Sequence, residues 1–271
     1  MSDRPYGSKE YWDKRYSECE TQPATDDETN EWLLSYADIQ GILAAAMPLG
    51  RDSRVLDVGC GNSKLLPDLR DDGHNGELVG IDISGVSVAR TVCGGKDIQV
   101  EEVDATTAYT VFGADAFEVV LDKSTIDAML CDDTDGMTTV RSYAQQVSGL
   151  LCVGGCFFVV SHNHPEGRNG RSDDEEVQEQ TDDALGEWLQ VIIDGLNTGP
   201  VPAIATTKNK RRKLQGGDDE VRNPQNQGKW SLDIHVSMDD APSIYVFKKL
   251  RRSSRRAGRV EAEMQIRVHE H

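Results

Sequence analysis

Long apolar runs are what this 271-residue sequence most plainly lacks. No stretch reaches the roughly 20 apolar residues that a membrane-spanning helix needs. The segment Met1 to Tyr6 has neither the apolar core of a signal peptide nor the Arg-rich, acid-poor character of a transit peptide, so a soluble, cytoplasmic protein is expected. Basic charge is also short: 29 Lys and Arg stand against 47 Asp and Glu, a formal net charge of −18. That balance argues against general attraction to nucleic acid or anionic membrane and leaves basic partners as the ones charge would favour. The six cysteines (Cys19, Cys60, Cys93, Cys131, Cys152 and Cys156) form no CxxC pair. Buried free thiols are therefore expected rather than a disulfide frame or a zinc site, and no metal is assigned. There is no internal repeat, and a monomer is expected.

What is present is a glycine-and-carboxylate pattern between Arg54 and Asp82. The apolar run Val55-Leu56-Asp57-Val58 ends in Gly59-Cys60-Gly61, a helical stretch follows, and a second apolar run, Leu78-Val79-Gly80-Ile81, ends in Asp82. This is the layout of a nucleoside-binding βαβ unit: two glycines open the loop, and an acid closing the second strand can grip a ribose diol. The third glycine of a nicotinamide fingerprint is missing, because Lys64 occupies its place. Asp57, two residues before Gly59, suits a cationic sulfonium amino acid better than a pyrophosphate, which turns the expected cofactor toward S-adenosylmethionine. Two further strands end in carboxylates, Asp104 followed by Ala105, and Asp122 followed by Lys123. Acids at successive strand ends converge at the C-terminal edge of a parallel sheet, although each taken singly also serves as a helix cap.

The alternation of apolar strands and helical stretches predicts an α/β fold with a doubly wound sheet. Strands are expected at about 54–58, 78–82, 98–103, 117–122 and 156–161, with helices at about 39–47, 63–72, 84–92 and 137–151. Pro67 requires the second of these helices to start late or kink. A helical stretch around Trp188 to Leu196 and two more strands, Trp230–Val236 and Ser243–Lys248, close the domain as an antiparallel pair, giving seven strands. Residues 1–50 read as an aromatic lid and helix, 51–250 as the main domain and 251–271 as a basic, flexible tail. Charged insertions are expected at about 165–183 and 205–228. The basic runs at 208–213 and 248–259 read as solvated surface.

Asp57-Val58-Gly59-Cys60-Gly61, Gly80-Ile81-Asp82, Val103-Asp104-Ala105 and the segment Phe117 to Ala128 together resemble the seven-stranded class I methyltransferases. With Tyr11-Trp12-Asp13-Lys14-Arg15-Tyr16, they resemble more narrowly the eukaryotic lysine methyltransferases of translation elongation factor 1-alpha. The resemblance implies a Rossmann-like, mostly parallel sheet and a protein-lysine N-methyltransferase using S-adenosylmethionine. It implies cofactor contacts from Trp12, Tyr16 and Trp32 as a cover, from Gly59, from Asp82 with Ile83 at the ribose, from Asp104 with Ala105 at the adenine, and from Lys123. Asp57 and Gly61 complete the expected cofactor site. Asp122 is the candidate for orienting or deprotonating the attacking amine, with capping of the following turn as its other reading. Asp127, His162 and His164 are weaker candidates. Ser124 departs from the glycine usual in the family. That departure and the insertions keep open a catalytically silent cofactor-binding module, beside a methyltransferase of another protein or of a small molecule.

Overall fold

The computed structural model describes residues 6–18, 31–90, 96–166, 185–200, 229–236, 241–250 and 264–270. The insertions expected at 165–183 and 205–228, apart from Pro165 and Glu166, lie outside the described residues, as do Cys19, Cys93, the basic run at 208–213 and residues 251–259 of the run at 248–259. The start of that last run is not solvated surface: Lys248 and Lys249 lie in a strand, and Lys249 is buried, donating to the Ser148 and Leu151 carbonyls at 2.7 Å.

Among the described residues, eight strands form one sheet: β1 Val55–Val58, β2 Leu78–Asp82, β3 Gln99–Glu102, β4 Phe117–Lys123, β5 Leu151–Ser161, β6 Lys229–Val236, β7 Ser243–Leu250 and β8 Gln265–Glu270. The helices are α1 Lys9–Glu18, α2 Tyr36–Ala46, α3 Leu65–Asp71, α4 Gly85–Arg90, α5 Ala108–Phe112, α6 Thr125–Leu130, α7 Gly136–Leu150 and α8 Glu187–Thr198. The strand order is β3-β2-β1-β4-β5-β7-β6-β8. The first five strands are parallel, and β7 runs antiparallel to both β5 and β6. From β1 the chain winds outward to β2 and β3, then returns to the other side of β1 with β4 and β5. Beyond the carboxyl ends of β1 and β4 the strand order therefore reverses, which is where an open α/β sheet binds ligands.

Residue parity along the strands divides the core in two. Leu56, Val58, Val120, Phe157 and Val159 face a cluster built with α6, α7 and α8. Val55, Val119, Leu121, Cys156, Phe158 and Val160 face a second cluster with α2 and α3. Both sheet faces are covered, so these strands read as nearly unbroken apolar runs. Pro67 is the third residue of α3, where its missing N–H is one that the helix start leaves unbonded anyway; the late start resolves the conflict seen in the sequence.

Two further expectations need correction. The sheet has eight strands rather than seven: Gln265–Glu270, inside the segment read as a flexible tail, pairs in parallel with β6, and Arg267 Nε lies 2.7 Å from Asp233 Oδ1. Its signal is the alternation Ile266-Arg267-Val268-His269, short enough to be lost beside the charged stretch before it. Among the described cysteines, Cys60 and Cys156 are buried free thiols, whereas Cys131 is exposed and Cys152 only half-buried.

Candidate active site

A cleft of about 310 Å³ opens at the carboxyl ends of β1, β2 and β4, roofed by α1 and the segment around Trp32. Its floor is the loop from Gly59 to Ser63. Gly59 and Gly61 have φ values of 66° and 52°, conformations that favour glycine. The room left by their missing side chains is filled by protein rather than ligand. A Cβ on Gly59 would strike the Thr125 hydroxyl, and one on Gly61 would lie 2.5 Å from the Tyr16 hydroxyl. The two glycines therefore let α6 and the cover pack onto the loop.

Asp57 and Asp82 are the buried carboxylates of the cleft. Asp82, at the end of β2, accepts from the Gly61 N–H at 2.9 Å on one oxygen and from the Ser84 N–H at 2.8 Å on the other. Burial raises its pKa, opposed by these two amides. Asp57 is 2% exposed, lines the cleft, and makes no side-chain hydrogen bond among the described residues. Burial pushes its carboxyl up to about 7; Lys123 pulls it down, while Glu31 and Asp82 push it further up. A buried acid without a hydrogen-bond partner suits a cation. Beside them, Ile83, Asp104 and Ala105 line the cleft from the ends of β2 and β3. Asp104 Oδ1 is taken by the Thr106 N–H and hydroxyl, at 2.8 and 2.7 Å.

The cover is aromatic and pinned at several points. Lys9 donates to the Ile83 carbonyl at 2.8 Å and to Glu102 at 2.9 Å, and the Ser84 hydroxyl donates to Asp13 at 2.6 Å; together these dock α1 on the ends of β2 and β3. Trp12 stacks on Tyr16 with ring centroids 5.9 Å apart and meets Trp32 edge-on at 6.0 Å. Lys123 donates to Glu31 at 2.5 Å and to the Trp32 carbonyl at 3.1 Å. Burial pushes the Glu31 carboxyl up, but Lys123, the Lys64 amide and the Ser63 hydroxyl hold it below its ordinary value.

All eleven residues expected at the cofactor site therefore line one cleft. Asp122 does not. It is 1% exposed, and its Oδ1 accepts from the Thr125 and Ile126 amides at 3.1 and 3.2 Å, capping α6. Its other oxygen neighbours the buried Tyr143 hydroxyl without a hydrogen bond of normal geometry. Burial pushes the Asp122 carboxyl up to about 8. Asp127 ties α6 to the end of β5, accepting from the Ser161 hydroxyl at 2.5 Å and from Asn163 at 2.6 Å. His162 and His164 stand outside the cleft lining, and the His164 carbonyl accepts from Trp188 Nε1 at 3.0 Å. Ser124 takes up φ 72°, the backbone a glycine would adopt there. Reasoning from the sequence missed Glu31 and Lys9, whose partners lie up to 92 and 93 positions away.

An open sheet with its order reversed above a glycine loop, and carboxylates ending the strands on either side, defines a Rossmann-like nucleoside-binding domain. This chain belongs to the family described as Methyltransferase domain, which it matches over residues 49–215. It is 33% identical over 160 residues to the "eEF1A lysine and N-terminal methyltransferase" of Danio rerio, covering 58% of this chain and 21% of that protein. It is 31% identical over 176 residues to the "EEF1A lysine methyltransferase 4" of Mus musculus, covering 60% and 64%. To the "Protein-lysine N-methyltransferase EFM4" of Saccharomyces cerevisiae it is 27% identical over 178 residues, covering 60% and 78%. The chain thus spans about a fifth of the length of the first of these relatives. Among the described residues, no helix is long and apolar enough to cross a membrane.

Proposed function

We propose that this protein transfers the methyl group of S-adenosylmethionine to a lysine amine of a protein, with translation elongation factor 1-alpha as the target. The observation that carries the reading is the convergence of Asp57, Asp82 and the aromatic cover on one cleft at the switch point of a methyltransferase-family fold. The names of the relatives supply the substrate class.

The residues present fit the cofactor. Asp82, held from both sides by backbone amides, offers its remaining lone pairs to a ribose diol. Asp57, buried and without a hydrogen-bond partner, offers a counter-charge to a sulfonium amino acid. Asp104 and Ala105 close the far wall where an adenine would be read, Gly59 and Gly61 let α6 and the cover pack onto the loop that floors the cleft, and Trp12, Tyr16 and Trp32 cover the whole. When bound, S-adenosylmethionine supplies an electrophilic methyl group.

The protein's own work is positioning and exclusion of water. A free lysine has a pKa of about 10.4, so presenting its neutral amine at pH 7 costs roughly 4–5 kcal/mol. The aromatic roof lowers that cost by disfavouring the ammonium through desolvation. Asp122 contributes from beneath: by capping α6 it holds the turn from Lys123 to Thr125 that walls the cleft. The left-handed conformation of Ser124 preserves that turn and weakens the case for a silent module. A monomer acting in the cytoplasm, where its target is found, completes the reading, and the net charge of −18 favours a basic protein surface over nucleic acid.

The test is incubation of the purified protein with labelled S-adenosylmethionine, first with elongation factor 1-alpha and then with a cell lysate. Label is expected on a lysine of the elongation factor, located by mass spectrometry. Label on another protein would replace the target, label only on small molecules would remove the protein substrate, and cofactor binding without turnover would restore the silent module.

A further inference from the structure

Glu31 stands at the edge of the cleft and holds three parts of the site at once. Its Oε1 accepts from the Lys64 backbone N–H at 2.6 Å and the Ser63 hydroxyl at 3.2 Å, where the glycine loop turns into α3. Its Oε2 accepts from Lys123 Nζ at 2.5 Å, at the end of β4. The third part is its chain neighbour Trp32, whose carbonyl accepts a second Lys123 hydrogen at 3.1 Å and whose ring meets Trp12 in the cover. Solvent reaches this pair poorly, with the Lys123 and Glu31 side chains 6% and 21% exposed, so it is screened less than a surface pair. Strain lies beside it. Leu33 has φ 65°, a left-handed conformation that a non-glycine residue keeps only where its surroundings impose it.

We propose that Glu31 is a positioning residue for the cofactor: it clasps the aromatic cover shut by holding Trp32 to Lys123 and to the start of α3, and rupture of this clasp gates cofactor exit. The inference rests on reading the cleft as an S-adenosylmethionine site. The competing role for Glu31 is a plain cap on α3. A cap affects stability, whereas a clasp affects how long the cofactor stays.

The two roles separate in the full chain with S-adenosylhomocysteine as probe, using calorimetry for affinity and stopped-flow tryptophan fluorescence for release. Trp12 and Trp32 belong to the cover, while Trp188 and Trp230 are buried in the core and stay silent. Glu31→Gln keeps the shape and removes the charge. Its dissociation constant is expected to rise roughly ten- to hundredfold, the loss typical of a charge-assisted hydrogen bond, and mainly through the off-rate. In turnover, KM for S-adenosylmethionine should rise while kcat at saturating cofactor changes little, and Glu31→Asp should restore part of the affinity. Combined with Lys123→Met, the effects should be less than additive, because both variants break the same contact. Should Glu31→Gln fail to fold, Ser63→Ala removes a single donor and should give a smaller rise in off-rate. An unchanged or slower off-rate in whichever variant folds overturns the clasp. Absence of S-adenosylhomocysteine binding by the unaltered protein overturns the cofactor reading, and the clasp with it; normal binding there with an unaffected variant overturns the clasp alone.

Discussion

Asp57 and Asp122 each end an apolar run, yet they do different work because they face opposite sides of the sheet. Asp57 shares the face of Val55 and lines the cleft, whereas Asp122 shares the face of Val120 and points toward α7. Strand parity was readable in the sequence, but which face lies under the ligand depends on how the cover and α6 close, so the role of Asp122 was not. For Asp57 the sign of the linkage is definite. Its folded pKa of about 7 exceeds the reference value of 3.8, so the folded state carries no penalty well below pH 4 and an increasing one as pH rises toward 7. Fully developed, that penalty is about 4 kcal/mol. Asp57→Asn should therefore raise the melting temperature at pH 8 and lose that gain near pH 4, while weakening S-adenosylmethionine binding about tenfold or more. In the unaltered protein, affinity for S-adenosylmethionine, whose sulfonium and ammonium are both cationic, should hold above pH 7 and fall as pH drops below it, up to tenfold per unit, which calorimetry across pH 5.5–8.5 would show. Ser124→Gly belongs at the same scale. It releases a left-handed serine at about 1–2 kcal/mol but concedes chain entropy, so a net gain of about 0.5–1 kcal/mol is expected by thermal denaturation.

Among the elements, α6 shows what a short helix needs from its neighbours. Six residues are too few to hold a helix by propensity alone, and its first turn depends on Asp122. Near pH 4, where the buried carboxyl carries no ionisation penalty, Asp122→Ala should cost about 1–2 kcal/mol through the lost cap, a cost that relief of that penalty masks as pH rises toward 8; it should also lower kcat because the Lys123-to-Thr125 wall loosens. Asp122→Asn keeps an acceptor for both amides and should recover most of the stability, as urea titration would show. The alternating elements from β1 to β5 were legible from periodicity and from the glycines that punctuate them. The short α5 and α6 and the edge strand β8 were not: five or six residues cannot establish a period against the loops around them. The cover was legible as a cluster of aromatics, but its fastening was not, since Lys9, Asp13 and Glu31 find their partners on strands far along the chain.

At the scale of the whole molecule, two apolar layers hold one sheet between them, and the chain carries a net charge of −18. A like-charged surface speeds encounter with a basic partner and leaves a buried cleft largely unaffected. Raising ionic strength from 0.05 to about 0.5 M, which shortens the Debye length severalfold, should therefore lower kcat/KM for the protein substrate several-fold while changing S-adenosylhomocysteine affinity much less. Steady-state assays with each substrate varied in turn would separate the two.

The Tyr16 hydroxyl, lying where a side chain on Gly61 would begin, has a consequence for how such a protein can evolve. A residue larger than glycine at position 61 collides with position 16, and losing the aromatic at 16 leaves a hole above the loop. A bulkier residue at 61 therefore requires the ring at 16 to move or to lose its hydroxyl. Roof and floor are thus coupled through one contact, so a change at 61 is tolerated best when position 16 changes with it.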